Sequence, residues 1–265
     1  MAEPTVRIVC VLAMPRTGTR QLARLFRRVE GFESFGEIFN PAKSYTLRAS
    51  HLRALGDRLG AELVPDRADE HTIAAVRANP GAVLDVLAER AAPNIVATKL
   101  FPGHLERPLV GEHVVHRGDV VPIILRRRVI DCYASRLKAK AVNAWWGHDT
   151  TDVEVHADIE NFARWIIGPQ RWYRWCRDAI EQAGRPVHLM TFETDIEPGS
   201  QHTRTFIEQA LRAHGLELDA PPHKIHRERR QDTNEHPADR IANWPDFERE
   251  LERRDLLDLA NGYFI

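Results

Sequence analysis

Residues 6–29 read VRIVCVLAMPRTGTRQLARLFRRV, an apolar run followed by a short polar turn and then an amphipathic stretch. The run that ends at Ala13 is rich in β-branched residues, which is typical of a strand buried on both faces in a parallel sheet. After Pro15 and the polar turn, apolar residues recur at the spacing of one helix face. These residues are Leu22, Leu25, Phe26 and Val29. The stretch therefore predicts a strand, a turn and a helix, in that order.

The polar turn, Arg16 to Thr19, has the composition of an anion-binding site. The N–H groups in the first turn of a helix have no acceptor within the helix, and the helix dipole favours negative charge beside them. Gly18 lets the backbone curl close to an anion, while Thr17 and Thr19 add hydroxyl groups. Arg16 adds a permanent, planar positive charge. We expect this turn to bind a phosphate or a similar anion.

The turn does not follow the Walker A pattern of ATP-hydrolysing proteins, which is Gly-x-x-x-x-Gly-Lys-Ser/Thr. Ala13 stands at the position of the first glycine, and Gly18 is followed by Thr19 and Arg20 rather than by a lysine. A P-loop-type nucleotide kinase or NTPase is therefore disfavoured, although it stays open as an alternative function.

The segment Pro15-Arg16-Thr17-Gly18-Thr19 resembles the 5′-phosphosulfate loop of sulfotransferases that use 3′-phosphoadenosine 5′-phosphosulfate (PAPS). In that family the loop follows the first strand as Pro-Lys/Arg-Ser/Thr-Gly-Thr. The resemblance implies that residues of this loop and of the following helix bind the cofactor, with Arg16 also stabilising the phosphosulfate. The implied cofactor-binding residues are Arg16, Thr17, Gly18, Thr19, Arg20 and Gln21. The simpler alternative is an ordinary strand-to-helix turn.

A second segment, residues 125–135, reads LRRRVIDCYAS and resembles the 3′-phosphate motif of the same enzymes. There, an arginine ends a strand and a serine follows eight residues later in the next helix. Arg127 and Ser135 have this spacing, and Asp131 stands where many members carry an aspartate. A nucleotide 3′-phosphate carries close to two negative charges, so a fixed cation and a hydroxyl donor suit it. The alternative is that three consecutive arginines form a solvated surface.

Two further positions bear on catalysis. Lys99 ends a predicted strand, at a place where sulfotransferases often carry a lysine that reaches the sulfuryl group. Residues 35–40, FGEIFN, resemble the Gly-Glu-x-Phe-Asn segment of rhizobial nodulation-factor sulfotransferases and the region of bacterial trehalose 2-sulfotransferases in which a glutamate is the base. The resemblance therefore implies that Glu37 is the general base. The cytosolic branch instead carries a histidine two residues after the lysine, but that position is Phe101 here, and His104 is the nearby substitute.

Residues 224–244 resemble the late loop that closes over the nucleotide in these enzymes, and they make Arg230 and Gln231 candidate cofactor-binding residues. The alternative is a solvated basic loop.

Trp145 and Trp146 stand where these families also carry a tryptophan. They could stack on an acceptor ring, although aromatic residues of the core or its rim are an equal alternative.

Strand patterns at residues 94–100, 119–125 and 186–192 alternate with helical patterns, as in α/β proteins. The fold class predicted from the whole sequence is α/β, with a P-loop-like parallel sheet flanked by helices on both faces, as in the sulfotransferase fold. Residues 45–92 look helical with a break at 79–81. Gly168-Pro169 should kink or divide a helix over 158–183, and the last helix should run from 246 to 260.

At 265 residues the chain could hold one large α/β domain or two small ones, and the resemblance implies a single sulfotransferase domain over residues 1–265. A net charge of −1 argues against a nucleic-acid or membrane-surface partner. Three scattered cysteines form no metal or disulfide pattern, and no stretch looks like a leader or a membrane span. We therefore expect a cytoplasmic protein, of bacterial type given its excess of arginine over lysine. Whether it forms a homodimer stays open.

The expected function is transfer of a sulfuryl group from PAPS to a hydroxyl of a small-molecule, sugar, glycan or lipid-linked acceptor. The product would be 3′,5′-adenosine diphosphate (PAP), and no metal would be needed, because side chains supply the positive charge. The implied catalytic residues are Glu37, Arg16 and Lys99. Besides the kinase or NTPase, the remaining alternative is a nucleotide-binding module without catalytic activity.

Overall fold

The structure is a computed structural model, and the residues that it describes are 6–43, 46–66, 68–145, 148–218, 232–234 and 236–264. It contains one five-stranded sheet in which every pair of neighbouring strands is parallel. The strands are β1 (Ile8–Ala13), β2 (Phe32–Gly36), β3 (Ile95–Leu100), β4 (Val120–Arg126) and β5 (His188–Thr191). Their order across the sheet is β2-β3-β1-β4-β5. The predicted P-loop-like α/β architecture is confirmed.

Helices fill most of the chain between the strands. They are α1 (Thr19–Phe26), α2 (Ala49–Leu59), α3 (Glu70–Ala78), α4 (Pro80–Ala91), α5 (Arg107–Val110), α6 (Val129–Ala141), α7 (Ile159–Gln182), α8 (Ser200–Arg212), α9 (Pro237–Arg240), α10 (Trp244–Arg253) and α11 (Leu257–Asn261). Two π-helical turns, Gly111–Val115 and Phe192–Ile196, follow α5 and β5. Among the helices of the described residues, none combines the length and apolarity that a membrane crossing requires.

Both faces of β1 are buried, and this explains why its sequence reads as a continuous apolar run. Ile8, Cys10 and Leu12 share one apolar cluster with residues of α2, α4, α6, α7 and α10. The alternate residues of β1 belong to a second cluster with residues of α1 and α8. Helices therefore cover both faces of the sheet, as the sequence predicts.

Of the two outcomes predicted at Gly168-Pro169, a kink or a division of the helix, the division is wrong, because α7 runs without a break through Pro169. A proline inside a helix removes one backbone hydrogen bond, at a cost of about 3 kcal/mol. On both sides of it, however, α7 buries large side chains, including Phe162 and Tyr173. Burial of each such side chain contributes roughly 1.5–3 kcal/mol, so packing outweighs the lost hydrogen bond.

The last predicted helix, 246–260, is also wrong as a single element, because the structure has two helices there, α10 and α11. Asp255 lies between them with φ of 55°, in the left-handed region that ends a helix. The Leu256 N–H then donates to the Leu251 carbonyl at 2.9 Å and closes the end of α10.

The order of the strands predicts where a ligand would bind. The chain leaves β1 towards β2 on one side of the sheet and leaves β4 towards β5 on the other, so the direction of winding reverses between β1 and β4. In open parallel sheets, ligands bind at such a reversal, outside the carboxyl ends of the strands. The Arg16–Thr19 turn lies there.

Candidate functional site

The Arg16–Thr19 turn, here named the glycine turn, leads from β1 directly into α1. Gly18 caps the helix with φ of 89°, a conformation that side chains disfavour. A Cβ atom at this position would lie 2.2 Å from Cδ2 of Phe192. Only glycine therefore satisfies both the backbone conformation and the packing, and the amino end of α1 faces the edge of the sheet where a ligand is expected.

The glycine turn is held by contacts from both sides. Arg16 has φ of 76°, which is unusual for a residue with a side chain, and its carbonyl accepts a hydrogen bond from Nη1 of Arg127 at 3.1 Å. Thr17 is only 1% exposed, and its hydroxyl donates to the Met14 carbonyl at 2.7 Å. The Thr17 hydroxyl is thus engaged within the turn, so its remaining donor for an anion is its backbone N–H.

Tyr173, on α7, joins the carboxyl ends of the two central strands. Its hydroxyl accepts a hydrogen bond from the Met14 N–H at 3.1 Å and donates to the Leu125 carbonyl at 2.8 Å. Burial raises the pKa of this phenol well above its usual value, so it stays neutral. Tyr173 is not among the residues predicted from the sequence, because a tyrosine on the apolar side of a long helix looks like any core residue.

Arg16 connects the two segments that resemble sulfotransferase motifs. Its Nε donates to Oγ of Ser135 at 2.9 Å, and Nη1 donates to the Trp145 carbonyl. Burial and then the neighbouring Arg127 lower the pKa of Arg16, but a guanidinium stays charged at neutral pH. Residues that are 119 positions apart in sequence are therefore in direct contact at the glycine turn.

The three consecutive arginines at the carboxyl end of β4 contact three different parts of the structure. Arg126 donates to the Thr191 hydroxyl at 3.0 Å and lies over the ring of Tyr263. Arg128 pairs with Asp131 at 2.9 Å. Arg127 alone among the three contacts the glycine turn. Each one is at least partly buried in a specific contact, so the alternative of a solvated arginine surface is wrong.

Arg127 is held on the face of an aromatic ring. Its guanidinium carbon lies 4.5 Å from the centre of the Phe192 ring, and Nε lies 4.0 Å from a carboxylate oxygen of Glu193. Within the described part of the chain, the buried Nε of Arg127 has no hydrogen-bond partner. The guanidinium is therefore held by the aromatic ring, by the Arg16 carbonyl and by the charge of Glu193.

Asp131 joins the amino end of α6 to a later part of the chain. This carboxylate is buried, and it accepts from Nε of Arg128 at 2.9 Å and from Nη1 of Arg240 at 2.6 Å. Further along α6, the buried ammonium of Lys138 lies 2.9 Å from a carboxylate oxygen of Asp232. Two ion pairs thus anchor Asp232 and Arg240 on the helix that carries Ser135.

Three of the predicted residues fall outside the described part of the chain. They are Arg230 and Gln231, the candidates of the late loop, and Trp146. Trp145 is described, and it is 49% exposed, while its backbone carbonyl accepts the hydrogen bond from Arg16.

Glu37 and Lys99 form an ion pair on the other side of the glycine turn, with 3.0 Å between Oε1 and Nζ. Nζ of Lys99 also lies 3.3 Å from the hydroxyl of Thr19, and Asn40 donates to the second Glu37 oxygen at 2.9 Å. Burial raises the pKa of Glu37, but Lys99 and Asn40 outweigh it, and the pKa is lowered. Glu37 is therefore an ionised carboxylate at neutral pH, which is the form that a general base requires.

His104 lies behind Glu37, and its geometry distinguishes between the two base candidates. It is 4% exposed, and its Nδ1 accepts a hydrogen bond from the Phe101 N–H at 3.3 Å. Burial lowers its pKa to about 4, so the ring is neutral at pH 7 and carries its proton on Nε2, 3.8 Å from Glu37. Neither ring nitrogen then has a lone pair for an acceptor, so Glu37 is the better base candidate.

No protein-family model matches this chain, and the comparison with curated proteins also gives no match. The functional assignment therefore depends on the geometry of the residues around the glycine turn.

Proposed function

We propose that this chain is a sulfotransferase that moves a sulfuryl group from PAPS to a hydroxyl of a small-molecule, glycan or glycolipid acceptor. The observation that supports it best is the direct contact between the two implied phosphate-binding segments. Arg127 donates to the Arg16 carbonyl and Ser135 accepts from the Arg16 side chain, at 3.1 and 2.9 Å. A nucleotide with phosphates at both its 5′ and 3′ positions needs such a pair of neighbouring anion sites.

The residues present fit such a nucleotide. Gly18 lets the backbone turn with φ of 89° into α1, and the amino end of α1 presents backbone N–H groups. Arg16 and Arg127 place two permanent cations beside the turn. These cations would offset part of the negative charge of a doubly phosphorylated ligand.

When bound, PAPS supplies an activated sulfuryl group on a phosphate leaving group. Around it, Arg16 and the backbone N–H groups from Thr17 to Arg20 would stabilise the negative charge that develops on the leaving phosphate. Lys99 is close enough to assist, since its ammonium already reaches the Thr19 hydroxyl at the start of α1.

Glu37 would take the proton from the acceptor hydroxyl. Its carboxylate lies just after β2 and is fixed by Lys99 and Asn40, at 3.0 and 2.9 Å. Because Lys99 contacts both Glu37 and Thr19, its ammonium connects the base to the anion-binding turn. A shift of Lys99 towards a bound anion would leave Glu37 a stronger base.

Calorimetric titration tests the cofactor assignment. We expect PAP to bind at least tenfold more tightly than AMP, and ATP with magnesium to bind no better than AMP. Transfer of radioactive sulfate from labelled PAPS to a panel of sugars, glycolipids and alcohols then tests the reaction. Hydrolysis of ATP or GTP with magnesium would support a kinase or NTPase instead, and tight PAP binding without transfer to any acceptor would favour a non-catalytic module.

A further inference from the structure

Phe192 lies at the carboxyl end of β5, where the chain enters the π-helical turn Phe192–Ile196. Its ring is 7% exposed and belongs to the apolar cluster beneath α1 and α8. In the sequence it is only the last residue of a predicted strand. The structure brings it into contact with two of the residues implied in cofactor binding.

The first contact is with the glycine turn. The Phe192 ring occupies the space beside Gly18, since a Cβ atom there would lie 2.2 Å from Cδ2 and 2.5 Å from Cε2. The backbone of the turn therefore rests directly on the aromatic ring. A smaller side chain at position 192 would leave a gap under the turn, and the turn could then move towards the sheet.

The second contact is with Arg127, whose guanidinium carbon lies 4.5 Å from the centre of the same ring. A cation over an aromatic face at this distance is attracted to the ring. The Arg127 side chain is 16% exposed, and within the described part of the chain its Nε makes no hydrogen bond. The ring, the bond from Nη1 to the Arg16 carbonyl and the Glu193 carboxylate 4.0 Å from Nε therefore determine its orientation together.

The Phe192 backbone is itself held firmly. The Glu197 N–H donates to the Phe192 carbonyl at 2.8 Å, and the Thr191 N–H donates to Oδ2 of Asp195 at 2.6 Å. The hydroxyl of Thr203, on α8, donates to the Asp195 carbonyl at 2.6 Å. The π-helical turn thus ties Phe192 to β5 and α8, and the ring has a fixed support from which to contact its two neighbours.

We propose that Phe192 is a positioning residue that sets the place of Arg127 relative to the glycine turn, and so determines the preference for a nucleotide that carries a 3′-phosphate. The inference rests on the proposed function. Phe192 itself need not touch the nucleotide, because it acts through Gly18 and Arg127.

The test compares PAP with AMP, which differ only in the 3′-phosphate. Calorimetry would give the ratio of their dissociation constants for the wild type, Phe192→Leu, Arg127→Ala and the double variant. We expect Phe192→Leu to lower the preference for PAP about tenfold, with a smaller loss for AMP. In the Arg127→Ala background, Phe192→Leu should change the ratio less than twofold, because the group that it positions is gone.

Phe206→Leu is the matched control, since Phe206 lies on α8 and packs against the same apolar cluster. We expect it to leave the ratio unchanged. Should Phe192→Leu fail to fold in a urea-unfolding assay, Phe192→Met offers a longer and more flexible side chain that can fill an irregular gap without an aromatic face, and the same loss of preference is expected.

Two results would overturn the inference about Phe192 without contradicting the proposed function. A wild-type preference for PAP that survives both Phe192→Leu and Phe192→Met would remove the role of Phe192 alone. If Phe192→Leu lowered the preference for PAP equally in the wild type and in the Arg127→Ala background, the role of Phe192 would also be removed, because its effect would not depend on Arg127. A wild type that binds PAP and AMP equally would overturn the proposed function and this inference together.

Discussion

The two sides of the glycine turn are built from different chemistry. On one side, here the cationic side, lie Arg16, Arg127 and Ser135, in which guanidinium groups donate to a hydroxyl and to backbone carbonyls. On the other, the acid–base side, Glu37 is matched by Lys99 at 3.0 Å, with neutral His104 behind it. Both sides meet the same turn, since Arg16 belongs to it and Lys99 reaches the hydroxyl of Thr19.

This difference indicates that the two sides of the glycine turn have different roles. On the cationic side, Arg16 and Arg127 place two guanidinium groups beside the turn, with the Glu193 carboxylate 4.0 Å from Nε of Arg127, and such cations can attract an anionic nucleotide. On the acid–base side, the carboxylate already has a cation and two further neighbours, which suits a group that has to stay ionised and exchange a proton. We therefore expect substitution of Arg127 to change mainly nucleotide affinity and substitution of Glu37 to change mainly the reaction rate.

The largest expected effect is on the acid–base side. Glu37→Gln keeps the shape of the side chain but removes the carboxylate, and we expect the rate of transfer to fall roughly 10²- to 10⁴-fold. PAP affinity should change less than threefold, because Glu37 is not on the cationic side. The measurement is the transfer rate from labelled PAPS to the best acceptor of the panel, together with calorimetry. Unchanged transfer would remove Glu37 from the mechanism.

The next largest effect is expected from a substitution in the glycine turn, which the two sides share. Gly18→Ala adds a side chain where φ is 89° and where Phe192 leaves no space. We expect a loss of roughly 2–4 kcal/mol in the free energy of unfolding, measured with urea, and a loss of PAP binding on the order of 100-fold, measured by calorimetry.

The matched control for this substitution is Gly184→Ala. Gly184 also has positive φ, 67°, but nothing lies within 4 Å of its added Cβ. We expect about 1 kcal/mol from backbone strain and no change in PAP affinity. Equal PAP affinity in the wild type and Gly18→Ala would show that the turn does not bind the nucleotide.

A smaller effect is expected on the cationic side. Arg127→Ala should weaken PAP binding about 30-fold and AMP binding less than threefold, since the lost cation faces the 3′-phosphate in the proposed complex. Arg126→Ala is the control, because Arg126 lies one residue earlier but contacts Thr191 and Tyr263 instead. Equal losses for PAP and AMP in Arg127→Ala would contradict a specific role at the 3′ position.

The smallest effect concerns the pH dependence of stability. The pKa of His104 is about 4 in the folded chain against 6.5 as its ordinary value, so the unfolded state binds more protons between these two values. Stability is therefore lost as the pH falls through this window, by about 2 kcal/mol between pH 7 and pH 5 from this residue.

In His104→Gln, the loss of unfolding free energy between pH 7 and pH 5 should be smaller by this amount, so the slope of that free energy against pH should be shallower. Urea unfolding from pH 5 to pH 7 measures the slope, with His116→Gln as the exposed control. A slope equal to that of the wild type would show that the buried ring does not stay neutral.

Much of the site could be predicted because local signals mark it. The β1 run, the glycine and the apolar spacing of α1 predict the anion-binding turn, and Lys99 and Arg127 are found by inspecting the residues at the carboxyl ends of predicted strands. Tyr173, Phe192 and the Asp131–Arg240 pair carry no such signal. Each acts through a neighbour that is distant in sequence, so its type and local pattern look the same as those of an ordinary core or surface residue.

The sequence by itself determined the parallel α/β sheet and the strand ends at which polar and charged residues gather, because burial on both faces of a strand leaves a continuous apolar run. Only the tertiary structure decided which of three arginines turns towards Gly18 and that His104 has no free lone pair. It also decided that α7 continues through Pro169. The physical reason is that each of these features depends on neighbours that only the fold brings together. Such neighbours determine the orientation of an arginine side chain and the tautomer of His104. They also decide whether packing outweighs the hydrogen bond that is lost at Pro169.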